Sequence, residues 1–182
     1  ASLGIGEVNV FRKLRVAFFS TGDELVSVGK PFETGQIYDS NRYTIFGMLS
    51  RLGATISDLG VVPDKPDLLE QTLLKAASEH DVVITSGGVS VGEADHMKAL
   101  LAKHGQVLFW KINMKPGRPL AYGKVANAHY FGLPGNPVSS MVTFYQFVQP
   151  ALQALSGAGF EAVHSKNIRY DIWYKLWGNM TV

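Results

Sequence analysis

At 182 residues with 46% apolar side chains, the chain can bury one substantial core and has room for little more than a small appendage. Its formal charge of +2 sets up no field that would predict nucleic-acid or membrane-surface binding, and no apolar run is long enough to span a bilayer. The lack of cysteine excludes disulfides and thiolate metal sites and fits a reducing, cytoplasmic setting. No signal peptide is evident, and because the chain opens on Ala1 rather than Met it is expected to be a segment of a longer protein.

In chain order, residues 15–19 are a short β-type run ending in Ser20-Thr21-Gly22-Asp23-Glu24. Residues 41–52 place Ile45, Met48, Leu49 and Leu52 at helical spacing, with Gly53 as a stop. Residues 54–62 read as a second strand, residues 66–79 as an amphipathic helix with Pro66 in its first turn, and residues 81–85 as a third strand. A helix over 95–104 and a strand over 106–112 follow. Residues 120–124 and 129–133 form a hairpin around Ala126-Asn127, and the last helix runs from about 137 to 155.

Beyond Leu155 the character changes. Ser156-Gly157-Ala158-Gly159 reads as a flexible junction, after which Ile168, Tyr170, Ile172 and Tyr174 alternate with Arg169, Asp171, Trp173 and Lys175. The expected organisation is therefore an α/β domain over 1–156 and a linker with a partial β-type tail over 157–182. Strands alternating with helices imply a mostly parallel sheet covered on both faces, with the ligand at the carboxyl ends of its strands. The loops at that edge carry Asp23, Asp64, Asp95, the Lys115/Arg118 pair and residues 134–137.

Three of these loops bear the chemistry. Ser86-Gly87-Gly88-Val89-Ser90-Val91-Gly92-Glu93-Ala94-Asp95 leaves a buried strand with glycines that admit an anion, serines that donate to it, and carboxylates at the start of a helix. The plainer alternative is a tight turn capped by Asp95. In Leu133-Pro134-Gly135-Asn136-Pro137, Asn136 suits an N-cap and Pro137 the first helical position, so the amides of Val138, Ser139 and Ser140 are expected to point outward at an anion site; plain capping is again the alternative. Lys115-Pro116-Gly117-Arg118-Pro119 holds two cations in a stiff turn suited to a tetrahedral oxyanion, or is simply an exposed basic turn. Asp64, just before Pro66, reads equally as an acid of the site or as a helix cap. Dinucleotide and P-loop signatures are missing, and His80, His96, His104, His129 and His164 are scattered rather than grouped as metal ligands.

Taken together with Ser20-Thr21-Gly22-Asp23-Glu24-Leu25 and Ile37-Tyr38-Asp39-Ser40-Asn41-Arg42, these co-ordered motifs resemble the molybdopterin-binding domain of MoeA/gephyrin-type molybdenum insertases over roughly residues 1–156. The resemblance implies a three-layer α/β/α fold of the MogA/MoaB-like type. It also implies binding of molybdopterin, usually adenylylated, and insertion of molybdate with release of AMP in a magnesium-dependent reaction. By motif position it implies Asp64 and Asp95 as functional acids and Mg²⁺ ligands, with Lys115, Arg118 and Ser90 on the oxyanion. Thr21, Gly22, Asp23, Ser86, Gly87, Gly88 and Gly92 would line the substrate loops, and Pro134, Gly135, Asn136 and Pro137 would shape the last one. Arg118 stands where lysine is also common. Family members carry further domains that complete the site and support a homo-oligomer; adenylyltransferase and non-catalytic scaffold roles on the same fold remain as alternatives.

Overall fold

The computed structural model describes residue 7 and residues 10–31, 33–88 and 96–157. The strands are β1 (Arg15–Thr21), β2 (Leu25–Val26), β3 (Ile37–Tyr38), β4 (Thr55–Val62), β5 (Val82–Ser86), β6 (Gly105–Lys111), β7 (Pro119–Val125) and β8 (Ala128–Leu133). The helices are α1 (Ser40–Arg51), α2 (Pro66–Glu79), α3 (His96–His104), α4 (Pro137–Thr143) and α5 (Gln149–Leu155), the last two joined by a π-helical stretch, Phe144–Val148. Six strands form one sheet in the order β4-β1-β5-β8-β7-β6, and β7 alone runs against the rest. The sheet is thus mostly parallel, as the alternation of strands and helices predicts.

Every residue of β5 is buried, as are all of β1 after Arg15, because helices cover both faces. Alternate residues of β1 divide between two cores. Ala17 and Phe19 join Leu69, Leu73, Ala76 and Ala77 of α2 and Met97, Leu100 and Leu101 of α3. Val16 and Phe18 join Ile45, Met48 and Leu49 of α1 and Phe144, Val148 and Leu152 of the final helical run. These period-two and i, i+4 patterns make three layers, α/β/α, and each fully buried Leu or Ile contributes about 1.5–3 kcal/mol through apolar area withdrawn from water.

Two features depart from the sequence expectation. The run from 137 to 155 is not uniformly α-helical. Pro150 has no N–H, and its ring would press on the carbonyl four residues back; the wider π turn just before it, closed by Gln149 N–H donating to Phe144 O, relieves that conflict. The second is a two-stranded parallel ladder, Leu25 beside Ile37 and Val26 beside Tyr38, too short to leave any alternation in the sequence. The proposed tail, apart from Gly157, lies outside the described residues.

At the amino ends of the parallel strands the chain is tied by Asp81. Its carboxylate accepts from Arg15 N (2.9 Å), from Arg15 Nη2 (3.2 Å) and from both terminal nitrogens of Arg12, Nη2 at 2.6 Å. The Arg12 guanidinium, with the Arg15 backbone N–H behind it, holds the Asp81 carboxyl well below the usual carboxylate range in spite of its partial burial. Phe11 packs against Gly157 at this same edge: a Cβ added to Gly157 would stand 2.5 Å from the Phe11 ring. No helix among the described residues is long and apolar enough to cross a membrane.

Candidate functional site

Four parallel strands, β1, β4, β5 and β8, end together, and β6 with β7 turns at the same edge. Thr21, Val62, Ser86 and Leu133 therefore deliver their following loops to one surface, which is where the sequence places the ligand. Ser20, Ser86 and Leu133 stand side by side across three strands.

The loop after β5 begins as a close crossing over the end of β1. Gly87 has φ +85°, and a Cβ there would come within 2.3 Å of Thr21 O, so only glycine fits; its N–H donates to Leu133 O at 3.2 Å. The space that glycine saves at this position is occupied by the protein's own backbone, so Gly87 itself supports the tight-turn alternative. Gly88 lies against Thr21 Cγ2 and Met97. Ser90, Gly92 and Asp95, expected to bind oxyanion, substrate and metal, lie outside the described residues.

Asp64 and Asp23 are brought together from the ends of β4 and β1: Asp64 N donates to Asp23 Oδ1 at 3.1 Å. The helix-cap alternative for Asp64 fails, because the residue capping α2 is Lys65, which makes no side-chain cap bond. Among the described residues no group of three or more His, Asp or Glu is arranged around one point. Gly22 adjoins this pair, with the Glu24 carboxylate folded back over it.

At the start of α4, Asn136 is the N-cap and Pro137 the first helical residue, as expected. The expectation of three free amides needs correction. Ser139 N donates to Asn136 Oδ1 (3.1 Å) and Ser140 N to Asn136 O (2.8 Å), which leaves only the Val138 amide without a partner among the described residues. Pro134 is buried, whereas Gly135, Asn136 and Pro137 are exposed at the rim.

Lys115 and Arg118 are both exposed, and among the described residues neither makes an ion pair. The turn beneath them is rigid. Arg118 O accepts from Ile112 N at 2.9 Å, and buried Gly117 packs so closely on α4 that an added Cβ would stand 2.6 Å from Thr143 Cγ2. The basic turn is thereby fixed against α4, and among the described residues neither of its cations pairs with a carboxylate.

Ser20 and Asn41 escaped the sequence reading as individuals, and so did the hydroxyl of Ser140. Ser20 and Ser140 are buried, and their hydroxyls, like that of Thr21, have no hydrogen-bond partner. Asn41 is buried in the first turn of α1 and donates from one amide nitrogen to Ser86 Oγ and to Gly135 O, both at 2.8 Å. A signal for Asn41 was present: it lies on the same helical stripe as Ile45, Met48 and Leu49, where a polar side chain needs a buried partner. Its neighbour Asp39 caps α1, accepting from Arg42 N at 3.1 Å, while its other carboxylate oxygen is buried and unpartnered.

Comparison with known proteins agrees with this geometry. Residues 17–154 match a family model described as "probable molybdopterin binding domain". A protein of Haemophilus influenzae named molybdopterin molybdenumtransferase is 58% identical over 157 residues, covering 86% of this chain and 39% of the relative. A Dictyostelium discoideum protein named gephyrin is 38% identical, over 88% of this chain and 26% of its own length. The crystal structure of a molybdopterin biosynthesis MoeA protein from Pyrococcus horikoshii superposes with a TM-score of 0.76 at 36% identity, covering 86% of this chain and 39% of that one. The chain thus spans about two fifths, or less, of the relatives it matches, and within that span it belongs to the molybdopterin-binding domain family.

Proposed function

We propose that the carboxyl-end surface binds molybdopterin in its adenylylated form, and that in the full-length protein it serves the insertion of molybdate into the dithiolene with release of AMP. The observation that carries this reading is the pair Lys115 and Arg118. Two exposed cations that no carboxylate among the described residues neutralises are held on a rigid turn at the same edge as the Asp23–Asp64 contact and the start of α4. Cations left free in this way are available to a tetrahedral oxyanion through charge-assisted hydrogen bonds.

The acids suit magnesium rather than a transition metal. Mg²⁺ usually takes one or two carboxylates and completes its shell with water and substrate phosphates, so Asp64, with Asp23 beside it and Asp95 on the glycine-rich loop, is a sufficient donor set. Bound there, the ion would supply charge neutralisation for the phosphates. Assembly into a homo-oligomer and a cytoplasmic location belong to the same reading, supported by the resemblance of the whole motif set to insertases.

Anaerobic titration of adenylylated molybdopterin into the chain tests binding, and AMP release by the full-length protein tests turnover. Release that requires molybdate is the expected result. Consumption of ATP with release of diphosphate would instead identify an adenylyltransferase, and saturable binding without turnover would identify a scaffold.

A further inference from the structure

We propose that Asn41 is a positioning residue that locks two ligand-facing loops to each other. The two segments come from different strands: Ser86 is the last residue of β5, at the root of the glycine-rich loop, and Gly135 lies in the corner after β8. Beyond the β5–β8 ladder, which ends at Ser86 and Leu133, and the Gly87 N–H to Leu133 O bond, no backbone hydrogen bond among the described residues joins the two segments. Asn41 comes from neither. It sits in the first turn of α1, buried, and its Nδ2 spends both protons across the junction, one on Ser86 Oγ and one on Gly135 O, each at 2.8 Å.

The choice of side chain follows from the two acceptors. A carbonyl oxygen can only accept, so the bridging group has to donate to Gly135 O, and a single primary amide can serve both contacts from one nitrogen. Aspartate of the same shape would set a carboxylate against the Gly135 carbonyl, and leucine would leave Ser86 Oγ buried without a partner. The corner itself can drift, because Gly135 is exposed and glycine has no side chain to anchor it. With the tether in place, the loop after β5 and the corner that presents Asn136 and Pro137 behave as one wall of the site. Holding both in the bound geometry before the ligand arrives removes an ordering cost from binding.

This inference rests on the reading of the surface as a molybdopterin site, so the experiment has two independent readouts. Backbone amide exchange of Gly87 and Ser139, measured without ligand, reports the tether alone. Anaerobic titration with molybdopterin reports its effect on the site. In Asn41→Asp both amides should exchange at least tenfold faster while the amides of β1 stay protected, and molybdopterin affinity should fall at least tenfold at a temperature where the variant is fully folded. The loss relative to wild type should shrink on lowering the pH, because a protonated carboxyl regains one donor; a role limited to packing would not show that rescue. Should Asn41→Asp not fold, Ser86→Ala keeps α1 intact and removes one arm, and it should show the same two effects in smaller measure. Exchange and affinity both within twofold of wild type in a folded variant would overturn the proposal. If wild type itself fails to bind molybdopterin, the site reading falls, and unchanged amide exchange in the variants would still reject the tether.

Discussion

At the amino-end edge of the sheet, Asp81 is matched by two arginines and a backbone amide; at the carboxyl-end edge, among the described residues, Lys115 and Arg118 have no carboxylate, and the buried hydroxyls of Ser20, Thr21 and Ser140 have no partner. Both edges belong to the same sheet, but the connections at the amino end are short, whereas the carboxyl end carries the long stretches after β1, β5 and β6. Saturated charge at one edge closes the fold where the chain enters and leaves. The exposed, unpaired cations at the other gain partners only if something else supplies them. A fold that pairs its polar groups this thoroughly at one end marks the other as the place where a ligand contributes.

The largest effect that separates the two edges is on binding. Replacing both cations, Lys115→Ala with Arg118→Ala, removes two charge-assisted hydrogen bonds at about 1.5–3 kcal/mol each, so calorimetry with molybdate, or with sulfate as a surrogate, should show affinity reduced at least about a hundredfold. The melting temperature should hardly move, since neither side chain has a protein partner among the described residues. An unchanged affinity would place the oxyanion elsewhere.

Gly87→Ala tests how tightly the loop after β5 is built. The added methyl meets Thr21 O at 2.3 Å with φ at +85°, and backbone cannot yield cheaply, so urea denaturation should register a loss of about 2–4 kcal/mol. Wild-type stability would mean that the crossing over β1 opens at little cost. On the opposite edge, Asp81→Asn should cost about 1–2 kcal/mol, less than a fully buried pair because Arg12 and Arg15 are largely exposed, and should leave molybdopterin affinity unchanged. A binding defect in that variant would contradict the division of labour between the edges.

The smallest expected effects are on the pH dependence of stability. The Asp81 carboxyl titrates lower in the folded chain than its ordinary 3.8, so its contribution is complete above that value and is lost as the pH falls below it; Asp81→Asn should remove that acid limb. Burial, reinforced by the charge of Lys124, pushes the His129 imidazole below the ordinary 6.5. The unfolded chain therefore binds the proton first, and stability present above pH 6.5 declines as the pH falls through it. Thermal melts of His129→Gln between pH 8 and pH 5 should show that slope flattened, and an undiminished slope would assign it to another group.

Much of the fold was legible because its signals are local and periodic. The helix over 66–79 is found with the expected bounds, since Pro66 and the stripe Leu69, Leu73, Ala76 and Ala77 specify start and face together. The hairpin turns at Ala126-Asn127 as read. The β2–β3 ladder was not legible, because two residues cannot show an alternation and its partner lies across a loop. The site divides in the same way. Asn136 and Pro137 carry helix-start chemistry in their own side chains, whereas Ser139 and Ser140 turn out to spend their amides on Asn136, a matter of cap geometry rather than of residue type. For Asn41 the sequence shows that a polar side chain on an apolar stripe needs a buried partner, but not which one, because its two acceptors lie 45 and 94 positions away, a relation that only the folded chain creates.

Phe11 and Gly157 meet, and they do so at the edge remote from Lys115 and Asp64. The stretch between residues 11 and 157 therefore meets whatever flanks it through one small area, and the edge that carries Lys115 and Asp64 faces away from that area. That closeness also makes circular permutation feasible: residues 11 and 157 can be joined by a short linker and the chain reopened in an exposed loop such as the one between β2 and β3.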